Sequence, residues 1–171
     1  MKDIIKIDSV KANPGTIIDG EIVVEKLAGG GNISIPVTII NGTNDGPCLW
    51  INGGIHGDEP EGILTCSLLK KSIDPKRLSG SVILVPVINV PAMEAAERGN
   101  PLDTFSYDMN RIYPGREDGY LSERIANIHK EWMVKFADME ISIHSGGSHS
   151  YLAEAMFAAT DEKTQELARA M

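Results

Sequence analysis

His56 and Glu59 stand three residues apart in the run Gly53-Gly54-Ile55-His56-Gly57-Asp58-Glu59-Pro60-Glu61-Gly62. On a tight turn entering a helix, both side chains can reach one metal ion, because zinc accepts imidazole nitrogen and carboxylate oxygen at about 2.0–2.2 Å. The glycines let the backbone turn and approach closely. A His-x-x-Glu pair alone is far more often an ordinary solvated helix N-terminus; the flanking Gly-Gly and Gly-Asp-Glu-Pro favour the metal. His144, followed by Ser145-Gly146-Gly147, would complete a His2Glu set that leaves a fourth position for water, a ligand set used by catalytic zinc. Taken singly, such a histidine is more often a core or loop residue satisfied by hydrogen bonds. A third polar cluster is Asp108-Met109-Asn110-Arg111, with Arg98 upstream. Arginine grips a carboxylate through two parallel bonds, and asparagine can donate beside it. Arg98 could stabilise the oxyanion that forms when water attacks a carbonyl. Surface arginines on a loop are the bland alternative.

These clusters gain meaning from the elements that must carry them. Pro47 to Asn52 is a continuous apolar run, as in a buried strand, and stops at Gly53-Gly54. Pro60 suits the first turn of a helix, with Asp58 and Glu59 favouring its N-terminus. Ile63, Leu64 and Leu68 then predict an apolar helical face up to about Lys71. Ser81 to Ile88 reads as a second buried strand, so strand, helix and strand make a βαβ unit. Residues 89–119 are rich in Pro, Gly, Asn and Asp, and connections that long are usually functional. Leu121, Ile125, Ile128, Trp132 and Phe136 fall on one face of a helix over about 119–136. Met139 to Ile143 is a third buried strand that ends at His144. Tyr151 to Ala159 reads as a further strand and Asp161 to Met171 as the start of a helix. Ligands bind beyond the carboxyl ends of strands in open α/β sheets, which is where these polar clusters lie.

The N-terminal forty residues have a different texture. Ile4, Ile5 and Ile7 suggest a short strand, and Ile17-Ile18 and Ile22-Val23-Val24 flank Asp19-Gly20, a hairpin signal. Ala28 to Asn32 is a flexible turn, and Ile33 to Ile40 alternates up to Asn41-Gly42, another turn. Antiparallel strands at the edge of the domain are expected. The fold class predicted is α/β, three-layered, with a mixed sheet. It is organised as one domain over 1–171, with a β segment over about 1–42 and an α/β core over about 43–171.

At 171 residues the chain is long enough for one core, and its 42% hydrophobic and 23% charged residues are ordinary for a globular protein. Its 24 acidic against 16 basic residues give a net charge of −8. That excludes a general nucleic-acid binder, which needs a basic face. Cys48 and Cys66 lie in apolar runs and read as buried thiols, not as a disulfide or a cysteine metal site. No signal peptide is visible and no apolar run approaches the ~20 residues of a membrane span, so a cytoplasmic protein is the expectation.

From about residue 30 to 150 the chain resembles the succinylglutamate desuccinylase/aspartoacylase family of the zinc carboxypeptidase-like fold. Residues 53–62 are similar to that family's first metal motif. Asn89-Val90-Pro91-Ala92, Arg98, Pro101-Leu102-Asp103 and Met109 to Gly115 resemble its substrate-binding segment, and Ile143 to Gly147 its third-ligand motif. The resemblance implies one Zn2+ held by His56, Glu59 and His144, with Arg98 as the catalytic group polarising the scissile carbonyl. It also implies that Asn110 and Arg111 hold a substrate carboxylate. The implied reaction is hydrolysis of the amide bond of a small N-acyl amino acid, leaning towards the branch that deacylates N-acetylated diamino acids.

Two departures stand out. The family carries Asp two residues before the third ligand, where this chain has Ser142. A carboxylate behind a ligating imidazole orients it, and its loss commonly costs about 10–100-fold. Glu140, and Asp138 if the strand reaches it, would share the face of Ser142 and His144. The family's general base is a glutamate on a later strand, and 27 residues follow His144 here, with Glu154 the only acid between it and Thr160. The carboxypeptidase-like fold is therefore expected to be truncated at its C-terminus, with an exposed sheet edge open to pairing with another copy. Two alternatives stay open: a zinc carboxypeptidase, and a non-catalytic metal- or carboxylate-binding fragment.

Overall fold

The computed structural model describes residues 2–105, 108–148, 152 and 159–170. Its described elements are seven strands, β1 (Ile5–Ile7), β2 (Val10–Ala12), β3 (Thr16–Lys26), β4 (Asn32–Asn41), β5 (Asn44–Asn52), β6 (Ser79–Val85) and β7 (Met139–Ser142), and four α-helices. The helices are α1 (Glu61–Ser72), α2 (Val90–Ala95), α3 (Leu121–Phe136) and α4 (Glu162–Ala170), with a single 3-10 turn at Met109–Arg111. β1 and β2 form a small antiparallel ribbon, and the other five build a mixed sheet in the order β3-β4-β6-β5-β7. β4 pairs antiparallel with both β3 and β6, whereas β5 pairs parallel with both β6 and β7. This is the α/β architecture with an antiparallel N-terminal part that the apolar runs predict.

Strand alternation sorts the core into two layers. Ile35, Val37, Ile39, Cys48, Trp50, Ile83 and Val85 pack with Ile125 and Ala126 of α3 and with Ile7 and Val10 of the ribbon. Ile40, Ile51, Val82 and Leu84 point the other way and pack with Cys66 and Leu69 of α1. Both cysteines are buried free thiols, and burial pushes the Cys66 thiol up to about 11. The chain leaves β5 through α1 to β6 on one side and returns through α3 to β7 on the other. The end of β5 is therefore the topological switch point, where a crevice opens between loops that diverge.

Three expectations need correction. Asp19-Gly20 is not a turn: β3 runs unbroken through it, with Asp19 opposite Thr38 and Gly20 opposite Val37. The Asp19 carboxylate accepts a bond from the Thr38 hydroxyl at 2.7 Å and pairs with Lys70 at 2.6 Å. A Cβ on Gly20 would stand 2.3 Å from the Val10 side chain, so this glycine serves the close packing of the ribbon. The actual hairpin turn is the glycine-rich segment, where Leu27 N–H bonds to Gly31 O. Second, α1 does not bury Leu64 and Leu68, which are 63% and 66% exposed. Its inward face is built from Gly62 and Cys66, because Gly62 Cα lies against Gly53 and brings the helix too close to the sheet for a larger side chain. Third, 89–119 is not wholly a loop, since it contains α2 and the 3-10 turn. Nearly all of the strand expected at Tyr151 to Ala159 lies outside the described residues, as does Glu154.

Candidate metal centre

Beyond the C-terminal end of β5, the backbone turns sharply at Gly54, whose φ of +59° is a conformation that side-chain-bearing residues rarely adopt. The loop then lies directly on α2: a Cβ on Gly57 would stand 2.0 Å from the Ala92 carbonyl carbon. The Asn89 side chain donates to Ile55 O at 3.4 Å, and Asn89 N–H bonds to Gly54 O at 2.8 Å. The loops after β5 and β6 are thus clamped together, which fixes His56 and Glu59, each 2% exposed.

His56, Glu59 and His144 converge, with one possible ligand atom from each lying within 4.8 Å of the others. Glu59 is the hub. Its Oε1 lies 2.9 Å from His56 Nδ1 and accepts from Arg98 at 3.2 Å. Its Oε2 lies 3.0 Å from His144 Nδ1 and accepts from Ser145 N–H at 3.0 Å. The two imidazoles therefore turn the same nitrogen, Nδ1, toward one carboxylate. Their outer nitrogens face acceptors: His56 Nε2 is 2.9 Å from Asp108 Oδ1, and His144 Nε2 is 3.4 Å from Ser142 Oγ. A carboxylate beyond Nε2 holds the proton there and leaves Nδ1 with a lone pair. A lone pair aimed at a carboxylate oxygen is unfavourable unless a proton or cation lies between them. A single metal cation would satisfy both histidines and the carboxylate together, so the donor set fits zinc.

Asp108 was visible in the sequence as part of a polar cluster, but its role was not. It lies 52 residues from His56, and no spacing rule reports such a contact. Burial would raise the Asp108 carboxyl, yet hydrogen bonds from His56 and Arg98 outweigh it and hold the group at about 2. Arg98 also donates to Asp108 Oδ2 at 3.1 Å, so its guanidinium bridges Glu59 and Asp108 with its side chain 47% exposed at the mouth of the site. Asn110 and Arg111 form the exposed 3-10 turn directly after Asp108, anchored by Asn110 N–H to Asp108 Oδ1 at 3.0 Å. The structure thus gathers His56, Glu59, His144 and Arg98 into one cluster, and ties Asn110 to it only through its backbone bond to Asp108, with the exposed Arg111 next in the chain.

The third-ligand loop is tied down from the other side. Ser148 donates to Asp58 Oδ2 through its backbone at 3.1 Å and its hydroxyl at 3.2 Å. Although burial opposes it, these bonds lower the Asp58 carboxyl below its ordinary range. Asp138 does not compensate for Ser142, because its carboxylate accepts from Cys48 N–H at 2.7 Å at the far end of β7.

Beneath the centre lies a buried network that the sequence reading missed. Trp50 Nε1–H donates to His129 Nε2 at 3.0 Å, and the other ring nitrogen of His129 lies 2.9 Å from the Tyr113 hydroxyl. Burial lowers His129 to about 3, so it is neutral at physiological pH. His129 sits among the apolar positions of α3, where its type alone could have raised the question. It joins β5, α3 and the segment after the 3-10 turn under the site.

Comparison with known proteins agrees with this geometry. The succinylglutamate desuccinylase/aspartoacylase catalytic domain matches residues 45–171. An N-alpha-acetyl-L-2,4-diaminobutyric acid deacetylase from Halomonas elongata is 38% identical over 117 residues, covering 68% of this chain and 33% of that protein. A succinylglutamate desuccinylase/aspartoacylase structure from Rhodobacter sphaeroides superposes with a TM-score of 0.68 at 30% identity, covering 77% of this chain and 41% of that one. A product-bound ectoine utilization protein from Ruegeria pomeroyi gives a TM-score of 0.70 at 29% identity, covering 81% and 42%. The chain spans a third to less than half of the length of these relatives.

Proposed function

The chain belongs to the succinylglutamate desuccinylase/aspartoacylase family, and from that premise we propose that it is the metal-binding part of a zinc-dependent deacylase. His56, Glu59 and His144 would hold one ion. The observation that carries this reading is the shared orientation of the two histidines, both with Nδ1 toward Glu59 and Nε2 toward an outer acceptor. Zinc bound there would supply Lewis acidity toward a carbonyl oxygen and toward water.

The chain's own residues would do the rest. Arg98, held by Glu59 and Asp108, would donate to a carbonyl oxygen as negative charge develops on it. Arg111 and Asn110 at the rim would take a substrate carboxylate, the first through paired donors and the second through its amide. A carboxylate-bearing substrate with an amide bond between rim and metal would be a small N-acyl amino acid, the kind of substrate the deacetylase relative's name gives. The likeness to the Halomonas elongata deacetylase supports an N-acetylated diamino acid as substrate.

The test is metal analysis of the purified chain after zinc loading, beside His144→Ala. About one equivalent of zinc, lost in the variant, is expected. Zinc absent from both, or retained by His144→Ala, would remove the metal reading and the deacylase with it.

A further inference from the structure

β7 is a four-residue strand whose register against β5 places Asn52 opposite Ser142 and Trp50 opposite Glu140. Alternation puts Glu140, Ser142 and His144 along one face, with the Asn52 side chain reaching across from β5 between the first two. The distances form a chain. Asn52 Nδ2 is 2.6 Å from Glu140 Oε1, Ser142 Oγ is 2.8 Å from Asn52 Oδ1, and Ser142 Oγ is 3.4 Å from His144 Nε2.

The polarity of this chain follows from which groups can donate. An ionised carboxylate only accepts, so the Asn52 amide must turn its NH2 to Glu140. That leaves the Asn52 carbonyl facing Ser142, and the single hydroxyl proton of Ser142 must go to it. Ser142 then has only lone pairs to offer His144, so Nε2 of His144 must carry the proton. The consequence reaches the metal centre: Nδ1, 3.0 Å from Glu59 Oε2, is left as the lone-pair nitrogen. The central link is the secure one, since Asn52 is fully buried at the end of β5 and its backbone carbonyl accepts from Ile143 N–H at 2.8 Å.

We propose that Glu140 and Asn52 are positioning residues that act on His144 through Ser142, a three-residue relay doing the work a carboxylate at position 142 would do directly. The relay sets the His144 tautomer and aims Nδ1 at the metal position. It rests on the zinc reading for its purpose, but not for its geometry.

Two measurements on the 171-residue chain test it separately. The first is zinc affinity by competition with a chromophoric chelator. Glu140→Gln keeps the shape and removes the charge at an exposed position, so it should fold. It should weaken zinc several-fold, and Ser142→Ala by about 10–100-fold. Ser142→Asp should bind zinc at least as tightly as the parent and make a second Glu140→Gln change silent. Unchanged affinity in Glu140→Gln, or an equal loss in the Ser142→Asp background, would overturn the relay while leaving the zinc reading intact. The second measurement needs no metal: 15N NMR of the His144 ring in the apo protein. A proton on Nε2 in the parent, partly lost in Ser142→Ala, is expected, whether or not a second proton stands on Nδ1 facing Glu59. A bare Nε2 in the parent would overturn the relay even if zinc binds, and a protonated Nε2 would sustain it even if zinc does not.

Discussion

The two histidines of the centre sit in unlike surroundings. His56 is buried on a loop that α2 and the Asn89 side chain clamp from behind, and its outer nitrogen meets a carboxylate directly at 2.9 Å. His144 follows a four-residue strand that ends the sheet among the described residues, its side chain is 27% exposed, and its outer nitrogen meets a hydroxyl at 3.4 Å. One side of the site is built rigid by backbone contact. The other is held by side-chain hydrogen bonds, to Ser142 from β7 and through Ser148 to Asp58. A centre made this way keeps the His-x-x-Glu pair fixed and leaves the third ligand as the adjustable member.

The comparison breaks most plainly at the rigid side. His56→Ala should reduce zinc affinity well beyond the ~10–100-fold that loss of an outer partner costs, as read by chelator competition. If His144→Ala is the more damaging of the two, the ranking of the halves is wrong. Asp108→Ala removes the direct carboxylate behind His56 and should weaken zinc by about 10–100-fold. An effect smaller than that of Ser142→Ala would show that the charged acceptor at 2.9 Å matters less than the neutral one.

His129 ties β5 and Tyr113 to α3 in the core, and its titration gives a stability prediction. Its folded pKa of about 3 lies below the ordinary value of 6.5, so the unfolded chain binds more protons between those limits. Stability from this group is present above about pH 6.5 and falls as pH drops from there toward 3. Between pH 6.5 and 5 the loss should be about 2 kcal/mol, measured by urea unfolding. A His129→Gln variant that keeps the same slope over that interval would remove His129 as its source. The smallest effect is expected from Ser148→Ala, which removes the hydroxyl bond to Asp58, keeps the backbone one, and loosens the loop after His144. A loss of about 1 kcal/mol in stability with only a few-fold weakening of zinc is expected, and a large loss of metal would make that clamp a principal determinant.

What the sequence disclosed follows the same division. β5, β6, β7 and the flanking helices were legible because their cores are continuous apolar runs or four-and-three spacings. The cluster of His56, Glu59 and His144 could be picked out as a candidate because these residues lie shortly after two of those strands. The misreadings came where tertiary contact overrode a local signal. Asp19-Gly20 looks like a turn, yet Thr38, Lys70 and Val10 supply partners that make it a straight strand. Leu64 and Leu68 look like the buried stripe of α1, yet the Gly53–Gly62 approach turns small residues inward. Asp108 behind His56, and His129 between Trp50 and Tyr113, depend on contacts 52 and 79 residues long, which no short-range pattern encodes.

The central claim is a single metal position shared by His56, Glu59 and His144 through the Nδ1 atoms of both histidines. Anomalous diffraction at the zinc edge from crystals of the zinc-loaded chain tests it most directly. The account predicts one strong peak at about 2.0–2.2 Å from both Nδ1 atoms and a Glu59 carboxylate oxygen. A peak bound through Nε2 of either histidine, or lying away from Glu59, would contradict it.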